Sequence, residues 1–123
     1  MTIIDWHQRA DSARLMVHNI INGKKETPTG GETITKYSPR DGRLLYEFSS
    51  SDTATVERAV VNAREAFNDG RWSQLSVGDR RAILLKLADL VEANKEQFAL
   101  YECLDVGKPI GNALQTDIPS AIS

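Results

Sequence analysis

Residues 76 to 119 read SVGDRRAILLKLADLVEANKEQFALYECLDVGKPIGNALQTDIP, and this stretch decides the fold. Ser76 is placed to cap a helix, and Asp79 three residues on resembles a capping box with a shorter acid. Ile83, Leu84, Leu87, Ala88 and Val91 recur at helical spacing. They are expected to form a buried stripe, with Arg80, Arg81, Lys86, Asp89 and Glu92 facing water. Burying each Leu or Ile contributes about 1.5–3 kcal/mol, against about 1 kcal/mol for a cap. Packing therefore dominates, and the stripe needs a partner surface. Asn94 and Gln97 mark the next helix, with Phe98, Tyr101 and Leu104 as its apolar positions and Gly107 as its end. Pro109 suits the first turn of a further helix through Ile110, Ala113 and Leu114. Pro119 lacks a backbone donor and is expected to break or kink it.

Working outward, Asp52 or Thr53 can cap a helix whose Val56, Val60, Ala63 and Phe67 share a face, with Gly70 as its stop. Before residue 52 the period falls from about 3.6 to two. Leu44, Tyr46 and Phe48 alternate with Leu45 and Glu47, as in a strand with one apolar face. Pro39-Arg40-Asp41-Gly42 is a turn, and Glu32 to Tyr37 is extended and rich in β-branched and aromatic residues. Pro28, Gly30 and Gly31 read as a loop. Ile20-Ile21-Asn22-Gly23-Lys24-Lys25 predicts a small hairpin, because Asn-Gly suits a type I′ turn. Residues 5 to 17 form a weaker amphipathic pattern through Trp6, Ala10, Ala13 and Val17.

The 123 residues fit one domain at most, with 41% hydrophobic and 26% charged residues. Fifteen basic and seventeen acidic residues are interspersed, for a net charge of -2. No basic stripe argues for nucleic acid or a membrane surface. Met1 to His7 lacks the basic and apolar regions of a signal peptide. Lys86 and Asp89 interrupt the most apolar segment, Ala82 to Val91, which excludes it as a transmembrane span. The single cysteine, Cys103, has no partner for an internal disulfide, so a reducing, cytoplasmic setting is the default.

The residues offer little chemistry of their own. The eight glycines are scattered and make neither a dinucleotide turn nor a P-loop. Val106-Gly107-Lys108-Pro109 could bind an anion at a helix start; the simpler reading is one helix ending and another beginning. His7 and His18 would stand about 16 Å apart on a helix, too far to share a metal. Cys103 is flanked by Glu102 and Asp105, whose charges disfavour a thiolate, so it reads as structural. Glu92, Glu96 and Glu102 read as solvated helix faces.

Taken in order, several of these segments resemble the aldehyde dehydrogenase family. Ile21-Asn22-Gly23 looks like its first hairpin, and Ser38-Pro39-Arg40-Asp41-Gly42 is similar to its next turn. Ala59, Ala63, Ala66, Phe67, Gly70 and Trp72 follow its pattern A-x-x-x-A-x-x-A-F-x-x-G-x-W. Arg80, Leu84 and Leu87-Ala88-Asp89-Leu90 match the following helix. Leu104-Asp105, Gly107-Lys108-Pro109 and Asp117-Ile118-Pro119 complete the series. Asp5-Trp6-His7-Gln8-Arg9-Ala10 and Lys108-Pro109-Ile110-Gly111 resemble the branch acting on γ-glutamyl-γ-aminobutyraldehyde and 4-guanidinobutyraldehyde.

The resemblance implies an α/β fold in which residues 1–123 are the N-terminal segment flanking the cofactor-binding domain. β-Hairpins and amphipathic helices would be present, the Rossmann-type sheet and catalytic domain absent, and no domain complete. The family oxidises aldehydes to acids with NAD or NADP, through a cysteine nucleophile and a glutamate-activated water. None of those residues matches a position here, and Cys103 stands where relatives often carry Thr or Ser. No catalytic or cofactor-binding residue is therefore expected, and no cofactor for this chain alone. Asp105 is the one carry-over. In several relatives the matching aspartate helps bind Na⁺ or K⁺, with carbonyls near Lys36 and Tyr37. The alternative is a plain polar residue near a helix C-terminus. Residues 118 to 123 end without a helix cap, which is expected of a chain that continues. The expected partners are the remainder of the polypeptide and further copies of the complete enzyme. The alternative is a stand-alone interaction module that turns its apolar stripes to another partner.

Overall fold

The computed structural model describes residues 4–123, so the reading of the N-terminus as lacking a signal peptide falls partly on residues outside it. The chain forms two compact units. One comprises the described residues up to Leu15 with Lys36–Tyr46 and Leu85–Ser123; the other comprises Met16–Thr35 and Glu47–Leu84.

The second unit begins with a hairpin of β1 (Asn19–Ile21) and β2 (Lys24–Glu26), in register Asn19↔Glu26, Ile20↔Lys25 and Ile21↔Lys24. Asn22 and Gly23 have φ of 50° and 70°, as a type I′ turn demands. Strand β3 (Gly30–Tyr37) pairs with β4 (Leu44–Ser51), and both strands contribute residues to each unit. Gly30 and Gly31 belong to β3 and not to the preceding loop. A Cβ on Gly31 would lie 2.1 Å from Ser50 Oγ and 2.6 Å from its carbonyl oxygen, so only glycine allows this approach.

Helix α2 (Thr53–Asn68) starts as expected, with Asp52 accepting from the Thr55 amide at 2.8 Å. The Thr55 side chain, and then this amide, hold the Asp52 carboxyl below its ordinary pKa. Gly70, at φ 76°, follows the helix end. The Asn22 amide donates to Asn62 at 3.0 Å, and Arg58 pairs with Glu26 at 2.8 Å, so polar contacts hold the hairpin against α2. Ile21 is buried.

Helix α3 (Val77–Ala93) opens on Ser76, whose hydroxyl accepts from the Asp79 amide at 3.1 Å and donates to the Asp79 carboxylate at 2.7 Å. The expected burial of its stripe does not occur. Ile83, Leu84 and Leu87 are about half exposed, Ala88 and Val91 are partly covered, and no residue of α3 is buried. The apolar face of α2 is likewise open, with Phe67 69% exposed.

In the first unit, α4 (Lys95–Val106) carries the core. Ala99, Leu100 and Leu104 are buried, together with Ala113. Phe98, expected to be covered, is 44% exposed. Asn94 turns its side chain back to the Leu90 carbonyl at 2.8 Å, and so closes α3 instead of capping α4. Gly107 ends α4 at φ 81°, and a Cβ there would meet Pro39 Cγ at 2.8 Å.

Helix α1 (Trp6–Ser12) stops earlier than the reading to residue 17, because Ala13 is extended. Its cap is Asp5, which accepts from the Gln8 amide at 3.0 Å. The last helical stretch consists of α5 (Ile110–Asn112), a π turn (Ala113–Asp117) and α6 (Ile118–Ile122). Pro119 does not break it. The Ile118 amide donates five residues back to Ala113, and Pro119 sits in the first turn of α6, where no donor is required.

Candidate functional site

Asp105 lies in the last turn of α4, where the helix dipole disfavours a negative charge. One hydrogen-bond donor and one cation offset that cost. The Tyr46 hydroxyl of β4 donates to Asp105 Oδ1 at 2.7 Å, and the Lys36 ammonium of β3 stands 3.6 Å from the same oxygen. Burial, then the hydrogen bond to Asp105 and its negative charge, push the Tyr46 phenol up to about 12. A cation on Asp105 would share the carboxylate with Lys36, whose positive charge opposes it. The resemblance implies backbone carbonyls near Lys36 and Tyr37 beside Asp105; what the structure brings to that carboxylate is the Lys36 side chain. Tyr46 was missed. Its alternation in β4 signalled a covered face, but nothing in the pattern pointed its hydroxyl at an acid 59 positions away.

Lys108, the charged member of the suggested anion site, is engaged by Asp117. Its Nζ donates to Oδ1 at 2.7 Å and lies 2.5 Å from Oδ2. Asp117 Oδ2 is cut off from solvent and has no hydrogen-bond partner of acceptable geometry among the described residues, so the ion pair alone compensates it. An ammonium held this way is not available to an incoming anion, which favours the simpler reading of Gly107 and Pro109 as helix punctuation.

Cys103 is partly covered and lines an apolar cleft of about 750 Å³ within the first unit. Trp6, Ala10, Leu100, Leu104 and Ile110 form its walls, and His7 also reaches it. The Asp41 carboxyl, in the turn whose Ser38 and Arg40 border the same cleft, is held below its ordinary pKa by the Ser38 side chain and then by the Arg43 amide. No group of three or more His, Cys, Asp or Glu side chains is gathered as a metal site among the described residues. Nor does any described helix have the length and apolarity to cross a membrane.

Residues 26–123 match the aldehyde dehydrogenase family. The aminoacetaldehyde dehydrogenase of Pseudomonas aeruginosa is 40% identical over 103 residues, covering 84% of this chain and 21% of that protein. The AldA indole-3-acetaldehyde dehydrogenase of P. syringae, solved in complex with NAD+ and IAA, is 43% identical. It superposes with a TM-score of 0.88 over 96% of this chain and 24% of its own. The γ-glutamyl-γ-aminobutyraldehyde dehydrogenase of Burkholderia cenocepacia J2315 is 37% identical, with a TM-score of 0.88 over 95% of this chain and 24% of its own. The chain thus spans about a quarter or less of the length of these relatives.

Proposed function

The chain belongs to the aldehyde dehydrogenase family, and we propose that it is the N-terminal part of an enzyme that oxidises an ω-amino or guanidino aldehyde to the carboxylic acid with NAD or NADP. The substrate class is supported by the likeness to the aminoacetaldehyde and γ-glutamyl-γ-aminobutyraldehyde enzymes. The cofactor is supported by the relative solved with NAD+. The nucleophile, the activating carboxylate and the dinucleotide turn would come from the remainder of the polypeptide, and the 123 residues alone would be inactive.

The observation that carries the assignment of a supporting part is the open apolar face on α2 and α3. Two capped helices with regular apolar stripes bury no residue in this chain. Such faces are stable only against a further surface, which the rest of the enzyme would supply. The complete enzyme is proposed to be cytoplasmic and homo-oligomeric. Asp105 is proposed to offer its carboxylate to a monovalent cation there, once Lys36 moves aside. The same open faces support the second reading, a stand-alone module that binds another partner.

The test reads the encoding DNA past the Ser123 codon and assays the whole product with ω-amino, guanidino and aromatic aldehydes. A continuation carrying a dinucleotide turn and a cysteine nucleophile, with turnover preferring the amino or guanidino aldehydes, is expected. Preference for aromatic aldehydes overturns the substrate class. Turnover by the 123 residues alone overturns the division of labour. A stop codon together with a defined small oligomer favours the stand-alone module.

A further inference from the structure

Helix α1 contributes Trp6 and Ala10 to the walls of the apolar cleft, yet none of its residues is buried. Its seven residues are too few for a helix to persist in water without tertiary support. Beside the partly covered Trp6 and Ala10, the side-chain ties that hold it are polar and exposed. Arg9 pairs with Glu96 of α4 at 2.7 Å, and Asp11 pairs with Arg43 at 3.1 Å. Arg9 also lies over the Trp6 ring, 5.4 Å from its centre, so one side chain serves two contacts. Beneath this layer, Leu100 and Leu104 are 7% and 6% exposed, and Cys103 stands beside them. The wall of the cleft is thus built from one firmly packed helix and one held by partial apolar cover and two exposed ion pairs.

We propose that α1 is a detachable strap. It lifts from α4 as a unit while α4 stays folded, and in doing so bares Leu100, Cys103 and Leu104. Local opening of this kind follows the uneven distribution of buried contacts. Its equilibrium depends on ionic strength, since exposed ion pairs stabilise less as salt rises.

Cys103 reports the opening, because it is the only thiol of the chain. Its reaction with an uncharged thiol reagent is compared at low and high salt. Each rate is divided by that of the urea-unfolded chain at the same salt, which cancels the effect of salt on the thiol itself. High salt is expected to raise the ratio about two- to tenfold, and Arg9→Ala to raise it about two- to fivefold at low salt. Hydrogen exchange supplies the second readout: amides of α1 should lose protection with salt while amides from Ala99 to Leu104 keep theirs. A ratio unmoved by salt and by Arg9→Ala overturns the strap. So does a ratio of one throughout, or loss of protection in α1 and α4 together.

Discussion

Helices α2 and α4 invite comparison. Each is capped at its start or closed by a glycine at its end, and each repeats apolar residues at helical spacing. Yet α4 buries Ala99, Leu100 and Leu104, whereas α2 buries nothing and leaves Phe67 mostly open. Local signals therefore form both helices, but only one finds its partner within these residues. The contrast shows that an amphipathic pattern states a demand for burial without saying what answers it.

The largest expected effect sharpens this contrast. Leu104→Ala should cost about 2–5 kcal/mol of unfolding free energy in denaturant titration, the range for a core leucine, or abolish the cooperative transition. Leu84→Ala, on the open face of α3, should cost under about 0.5 kcal/mol in the same chain. Equal losses would mean that the two faces are not different in solution. In the longer enzyme proposed above, Leu84→Ala should approach the Leu104→Ala value.

Gly31→Ala comes next, at about 1–3 kcal/mol, since its Cβ would overlap Ser50 and force β3 from β4. A neutral result would return this glycine to the loop assigned from sequence. Ser76→Ala should then cost about 1 kcal/mol by removing the cap of α3. A much larger loss would show that α3 depends on its cap because packing contributes so little.

The smallest effect at neutral pH concerns Tyr46. Its phenol is raised from its ordinary value of 10.0 to about 12, so the folded state keeps its proton after the unfolded state has lost it. The resulting stability is fully present below pH 10 and is lost as pH rises through about 12. Tyrosinate absorbance should show the Tyr46 phenol titrating at about 12 in the folded chain. Asp105→Asn should bring it earlier without returning it to an unperturbed value, because burial acts first and remains.

The local structure was legible wherever one or two residues determine it. Asn22-Gly23 specified a turn, Ser76 and the pair Asp52-Thr53 specified helix starts, and Gly70 and Gly107 specified helix ends. Gly30 and Gly31 were misplaced because what requires them is the distant Ser50, and sequence spacing does not record that approach. The open stripe of α3 was misread for the same reason: periodicity names the apolar face, and burial depends on another surface. Asp105 was singled out through its family resemblance, while its pairing with Tyr46 and Lys36 depends on how the strands return to α4.

The π turn at Ala113–Asp117 has a consequence for how the final helix faces its surroundings. One extra residue in a helical turn rotates all that follows by about 100° relative to an unbroken α-helix. Ile118 and Ile122 therefore cannot be placed on a helical wheel drawn from Ile110. The turn acts as a phase shift: it turns the last apolar residues to a new azimuth. Deleting one residue between Leu114 and Thr116 would turn that face back by the same angle.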